Sequence, residues 1–343
     1  MTDNALMSIS YASGLAHASR AAPHLASDAV EQALARLGDT RAAAVLLFLS
    51  ADFAHDPRPA LVAAARAAQT IAVAGCTALG VMNEDDWLLD TPAAAVMLLR
   101  ELPGSGDQAA QPRLTLAAPN TIDLAWLDDQ PIRYGGVAGD PTGVGPYKVW
   151  RQSQICPDGR CEMILPTSDI ALSRGMAPIS PAFVVTEIEG FDLKTLNGRL
   201  AAATLRRSLD HLPALHELAL ATLDENDRPL DCWPLVSLNP DSGVTVAARL
   251  LPGQRVAWMR RSATAALAEM RAIADAPAPA AALMFACAAR GPSLHDGQDK
   301  EWQTLTRAWP GTPLAGFYGN GQISHLGGSN RLLHQSVVLA QLA

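Results

Sequence analysis

The chain has 343 residues, 49% of them hydrophobic and 17% charged, with a formal charge of −8. That is the make-up of an ordered globular protein of roughly two domains. The acidic balance, with no basic stripe, excludes nucleic acid as a partner. Only 5% of the residues are aromatic, and three of the 26 basic residues are lysines, at 148, 194 and 300. Combined with so much alanine, that bias reflects GC-rich coding and not a phosphate-binding surface. No run reaches the 18 or so apolar residues of a membrane span. Residues 1–5 lack a positive stretch leading into an apolar core, so no secretory leader is expected. Five cysteines, an odd number, scattered through such a length read as cytosolic thiols and not as a disulfide framework. A soluble, cytoplasmic protein is the expectation.

In chain order, a first strand falls within residues 6–19. A helix opens with Ser27 or Asp28 as cap and runs to about Leu37, where Gly38 ends it. The apolar run 44–50 reads as a buried strand, Asp56-Pro57 starts a helix over about 59–68, and a second buried strand at 71–80 ends in small residues. Residues 103–113 read as an exposed connector, and a third glycine-rich segment follows at 132–140. Residues 149–165 form a hairpin with Pro157-Asp158-Gly159 at its tip. A strand at 182–188 ends near Gly190, and 193–209 reads as a helix with Gly198 inside it. Strands at 233–238 and 243–247 flank a turn at 239–242. A further strand and a helix at about 263–274 precede the Pro/Ala-rich linker 276–279. Strand 282–291, another helix-like stretch and strand 313–323 close the chain.

Residues 44–80 and 282–323 thus say the same thing twice: buried strand, helix, buried strand, glycine-rich loop. Short apolar runs separated by a helix suggest a βαβ unit. The expected fold is α/β, with two pseudo-symmetric halves, mixed sheets and glycine-rich loops facing a central cleft. The boundary is placed near residue 205, giving domains at 25–205 and 206–343.

The chain carries no GxxxxGK[ST], GxGxxG, HExxH, GxSxG or EF-hand loop, which removes the cheap enzyme hypotheses. The glycine loops are the best positive signal, because glycine lets a backbone approach a ligand closely, and ligands in open α/β sheets sit beyond the carboxyl ends of strands. The alternative is that Gly75, Gly136 and Gly316 only make tight turns. Gly75, Cys76 and Thr77, then Gly135, Gly136, Gly139 and Asp140, then Gly316, Phe317, Tyr318, Gly319 and Gln322 would line the site. Cys76 and Cys287 face it as thiols or are small buried hydrophobes. Arg290 reaches a ligand carboxylate or is a solvated strand-end arginine. His325, which follows the last loop, is the best histidine for a ligand contact or is a satisfied surface residue. Cys156 and Cys161 bracket a tight hairpin tip and could lie across from one another as a redox pair. No metal-ligand spacing appears, and no cofactor is expected.

The segments 73–80, 135–140, 234–243, 283–291 and 315–323 together resemble the FIST family, with its N-terminal and FIST_C domains, over roughly residues 25–340. The resemblance implies a stand-alone bacterial sensory module that binds a small metabolite such as an amino acid. It implies action through a separate signalling protein, a kinase or a cyclic-nucleotide enzyme. An enzyme using a cysteine nucleophile in the same cleft and a haem-based gas sensor are the alternatives. The family's last loop usually reads G-E-I, whereas this chain has Gly321-Gln322-Ile323, which removes a carboxylate that could have paired with a ligand amine.

Overall fold

The computed structural model describes residues 10–102, 111–239 and 243–343. The expected connector at 103–113 and turn at 239–242 therefore fall largely outside the described residues. The chain divides into two compact units, one made of Met1–Ser173 with Met270–Ala343, the other of Arg174–Glu269. Position 205 lies inside the second unit. Among the described residues, no helix is long and apolar enough to cross a membrane.

The first unit begins with β1 (Tyr11–His17), α1 (His24–Leu37), β2 (Ala44–Ser50), α2 (Arg58–Ala68) and β3 (Val73–Ala78). Helix α1 starts earlier than its polar residues suggest, because the Ser27 hydroxyl donates to the His24 carbonyl inside the first turn instead of capping it. Its buried face runs from Leu25 to Leu37, and Gly38 ends it at φ 67°. Next come the hairpin β4 (Gly80–Asn83) and β5 (Trp87–Leu89), then β6 (Ala93–Leu99). After β7 (Arg113–Ala117), α3 (Leu124–Asp128) and β8 (Arg133–Val137) come β9 (Val149–Arg151), β10 (Gln154–Ile155), β11 (Arg160–Ile164) and β12 (Thr167–Ser173).

The expected hairpin at 149–165 is built differently. The chain reverses at Gln152 and Ser153, both in the left-handed region, and β11 then pairs with β7. Cys156 and Cys161 consequently do not face each other across one ladder, and both are free thiols.

The second unit holds β13 (Met176–Pro178), β14 (Phe183–Glu189), β15 (Asp192–Leu196), β16 (Arg199–Leu200), α4 (Ala201–Arg207), β17 (Leu218–Leu223), β18 (Pro229–Asn239), β19 (Gly243–Val246) and β20 (Arg255–Arg261). Antiparallel pairings in the order β20-β14-β15-β19-β18-β17 return to β20 and close a barrel. The helix expected at 193–209 is shorter by more than half, running only from Ala201 to Arg207. Asn197 and Gly198, at φ 48° and 72°, form a two-residue hairpin turn that overrides the helical pattern until Ala201.

The division between units falls within α5 (Ala263–Ala274), and the first unit resumes with β21 (Ala281–Cys287), α6 (Lys300–Ala308) and β22 (Leu314–Gly319). The hairpin β23 (Gly321–Leu326) and β24 (Ser329–Leu333) and the last strand β25 (Val337–Leu342) complete it.

The first unit says its piece three times, not twice. In one sheet β1 runs antiparallel to β6, β6 to β2, and β2 parallel to β3; another repeats this with β12, β25, β21 and β22. The third sheet has β11 antiparallel to β7 and β7 parallel to β8, lacking only the outer strand. Each copy passes a hairpin to the next: β4 pairs with β22, β23 with β8, and β9 with β3. The mixed α/β character is as expected. In place of two pseudo-symmetric halves, the first unit holds three copies in a closed cycle.

Candidate functional site

Gly75, Gly135 and Gly316 stand opposite Leu47, Thr115 and Met284 on the parallel neighbours, which puts the three copies in common register. A Cβ at these positions would lie 1.7, 2.1 and 2.0 Å from the carbonyl oxygens of those partners. The glycines exist because the neighbouring backbone occupies the side-chain position. They lie within β3, β8 and β22 and are not turns.

Two residues past each glycine come Thr77, Val137 and Tyr318, and four past come Leu79, Gly139 and Asn320. The Leu79 amide donates to the Tyr318 carbonyl at 2.9 Å, Asn320 to Val137 at 3.2 Å, and Gly139 to Thr77 at 3.3 Å. Three equivalent hydrogen bonds thus tie the strand ends into a ring. The space between the copies is filled. Phe48, Phe285 and Phe317 pack with ring centroids 5.0–6.3 Å apart. Cys76, Gly136 and Phe317 are equivalents, and the Phe317 ring takes the room that Gly136 leaves, 2.5 Å from where a Cβ would be.

At the mouth of the ring Asp140 accepts from the amides of Thr142, Gly143 and Gly145 at 3.2, 2.9 and 3.2 Å. Burial pushes its pKa up, but bonds from Thr142, Tyr147 and Gly145 outweigh that and hold it below the usual carboxylate value. Asn320 donates to the Tyr147 hydroxyl at 3.3 Å, joining two of the three loops.

The third copy departs from the pattern. Gln322 on β23 sits where the other hairpins carry Val81 and Val149, and all three are buried. Ser336 donates to its Oε1 at 2.9 Å, while Nε2 is buried without a partner. Whichever way round the amide is assigned, one polar atom stays unmatched. Counting back from the paired glycines, Glu301 holds the place of buried Ala60, and Arg290 follows β21 in a segment that turns differently from the one after β2.

Arg290 is 1% and Glu301 0% exposed. Arg290 Nε donates to Glu301 Oε1 at 3.0 Å, Nη1 to the carbonyls of Ser173 and Gln335 at 3.1 and 3.0 Å, and Nη2 to Ser173 Oγ at 2.7 Å. His295 Nε2 lies 2.9 Å from the same Glu301 oxygen, and Glu301 Oε2 is buried with no partner. Burial acts to raise the Glu301 pKa, but His295 and Arg290 overcome it and hold the carboxyl below its usual value. Asp299 caps α6 at 3.0 and 2.8 Å from the amides of Glu301 and Trp302 and accepts from the Tyr318 hydroxyl. Burial raises Asp299 and pushes Tyr318 well above its ordinary value, so the phenol keeps its proton.

A continuous chain of contacts therefore runs from His295 through Glu301 and Arg290 to the 335–336 backbone and on to Gln322. It lies at the carboxyl ends of β21 and β22, with an unmatched acceptor on Glu301 and an unmatched amide atom on Gln322. Groups of this kind cost stability unless something pairs with them.

Of the residues singled out in the sequence, those on the three glycine segments do come together, held by the ring. Tyr318 and Arg290 meet through Asp299, Glu301 and Gly291, where a Cβ would be 2.7 Å from Asp299 and 2.9 Å from Tyr318. Cys287 is buried at the end of β21, its amide bonded to the Ser336 carbonyl at 2.9 Å. Cys76 is fully buried, and burial drives its thiol well above the ordinary value, so it holds its proton and is a poor nucleophile. His325 stands apart, its Nδ1 3.2 Å from Asn330 Oδ1; Asn330 in turn binds the Asp129 and Pro131 carbonyls at 3.1 and 2.9 Å. His295, Asp299 and Glu301 were not foreseen. The signal for them was weak: Asp299 ahead of Glu301 is a helix-start pattern. Among the described residues no group of His, Cys, Asp and Glu is arranged to hold a metal ion.

The FIST C domain family model matches residues 201–325, so a FIST C domain is present and the family resemblance holds through it. The match takes in Arg290, His295, Asp299, Glu301, Tyr318 and Gln322. The chain is 28% identical to the uncharacterized protein Rv0628c of Mycobacterium tuberculosis, over 91% of this chain and 93% of the relative. It is 26% identical to the uncharacterized protein Mb0898c of Mycobacterium bovis, over 76% and 80% of the two chains.

Proposed function

We propose that the chain is a cytoplasmic sensory protein that binds a small metabolite and reports it to a separate signalling protein. The FIST C domain supports the sensory class. One observation carries the site: Gln322, at a register position that is valine in the other two copies, and the neighbouring Glu301 are both buried with one polar atom each left unmatched. A fold that has valine at the register of Gln322 in both other copies and alanine at that of Glu301 in the first has no structural need for the amide and the carboxylate. A ligand that accepts from Gln322 and donates to Glu301 would compensate both atoms, and its arrival would loosen or re-form the contacts of Arg290 with Ser173 and Gln335. The buried Cys76 thiol gives the cysteine-nucleophile reading no support.

The test is a thermal-shift screen of the purified protein against amino acids, organic acids, nucleotides and polyamines, with hits titrated by calorimetry. A ligand at 100 times its Kd should stabilise by about 2.7 kcal/mol. The response should disappear in Gln322→Val and Glu301→Gln. If every hit binds the variants as well as the wild type, the site is elsewhere.

A further inference from the structure

On the opposite side of the first copy, two grooves meet at Gln69. One, of about 390 Å³, is lined by Val62, Ala65, Arg66, Thr70, Ile71 and Ser153. The other, of about 550 Å³, is lined by Asp39, Arg41, Ala42, Ala43, Arg100 and Glu101. Both lie within the range of ligand-sized cavities.

The floor of the first is apolar and open: Ile71 is 73% and Val62 44% exposed. The fold does not require this. In the third copy the same corner is a cleft of only about 10 Å³, lined by Leu305, Thr306, Trp309, Thr312 and Leu314. Counting back from Gly316 and Gly75, buried Trp309 occupies the place of Ala68, and polar Thr312 that of Ile71. The Trp309 indole is pinned by a 3.0 Å bond to the Ala276 carbonyl. The first copy has alanine where that plug stands, and an isoleucine in solvent. The apolar floor left open at this corner is available to a partner's side chains.

The charges around it are informative. Asp39 and Arg100 neutralise each other at 2.8 Å. Arg41 and Arg66 are exposed and in no ion pair among the described residues, with Glu101 as the counterweight. The rim is therefore net positive on a chain of charge −8.

We infer that this double groove docks a protein segment presenting apolar side chains beside carboxylates: the apolar anchors sit against Val62, Ala65 and Ile71, and the carboxylates meet Arg66 and Arg41. It rests on the reading that the chain acts through a separate protein, and it names the chemistry of that contact. Opposite charge on the rim sets register and encounter rate, and the apolar floor supplies affinity.

The test is fluorescence anisotropy with a labelled peptide of alternating leucine and glutamate, and a second with lysine for glutamate. The acidic peptide should bind at least about tenfold tighter than the basic one, the preference falling as salt rises. Ile71→Asp, at an exposed position that leaves folding intact, should weaken it at least about tenfold. Arg41→Glu with Arg66→Glu should reverse the preference. No binding of the acidic peptide, equal binding of both, or binding untouched by Ile71→Asp overturns the inference. So does sedimentation showing a dimer that Ile71→Asp dissociates, which would give the groove to a second copy. The metabolite response is measured separately and does not depend on Ile71, so failure here leaves the ligand reading standing, and failure there leaves this contact untouched.

Discussion

Replacing Gln322 by valine should stabilise the protein while abolishing its ligand response. Gln322 is fully buried, and one of its amide atoms has no partner. An unsatisfied buried polar atom costs about 1–3 kcal/mol. Valine is what the other two copies carry at the same register, as Val81 and Val149, so its shape suits the site. Two effects oppose the gain. Ser336 loses the acceptor it reaches at 2.9 Å, worth about 1 kcal/mol, and the shorter side chain leaves a small void. The single variant should therefore gain between about 0 and 2 kcal/mol. Adding Ser336→Ala removes the stranded hydroxyl and should bring the gain to about 1–3 kcal/mol. For a unit of this size that is a rise of about 2–10 °C in melting temperature. Differential scanning calorimetry is the assay, because it separates the transitions of the two units. A loss of more than about 1 kcal/mol in Gln322→Val would show that the amide serves the fold, and the case for a ligand-facing group would collapse.

Arg290→Met should destabilise by about 3–5 kcal/mol, since it strands the buried Glu301 carboxylate, and the double variant with Glu301→Leu should recover most of the loss. Glu301 is held below its ordinary value near 4.5, so its contribution is present above that pH and fades as pH falls through the depressed value. Urea titrations of Arg290→Met against wild type should accordingly converge only as the pH falls below 4.5 and through the depressed value. Gly316→Ala places a Cβ 2.0 Å from the Met284 carbonyl oxygen and 2.9 Å from its carbon, against backbone that cannot give way, and should yield little folded protein. Gly38→Ala, left-handed but in open space, should fold with a loss of about 1 kcal/mol by melting. Native alkylation with iodoacetamide at mild alkaline pH, read by peptide mass, should label half-buried Cys156 long before Cys76 or Cys161. Burial drives the Cys76 thiol well above its ordinary value and, with Cys156 adding to it, pushes Cys161 up to about 12. Early labelling of Cys76 would restore the nucleophile reading.

Local chemistry sets what the chain does over a few residues, and there the sequence is legible. The strands at 44–49 and 281–287 are unbroken apolar runs because both faces are covered, and Gly38 ends α1 because glycine adopts the left-handed conformation without strain. The duplication and the importance of the glycines were also visible. The middle copy in chain order was not: a five-residue α3 replaces the long helix, and the apolar run of β7 is brief. What the glycines are for depended on the neighbouring strand, since a Cβ at Gly316 is barred by Met284, which lies 32 positions earlier in the chain. Asn197-Gly198 reversed a stretch that otherwise reads as helix, because two left-handed residues decide a hairpin whatever the side chains around them prefer. The polar chain from His295 to Gln322 is the clearest case. Each member is an ordinary residue in sequence, and only packing three copies around one core makes the same corner apolar in the first and charged in the third. Burial and hydrogen-bond partnership are properties of the assembled chain, so the sequence marked Arg290 and Gln322 as candidates while tertiary structure alone showed them linked and incompletely paired.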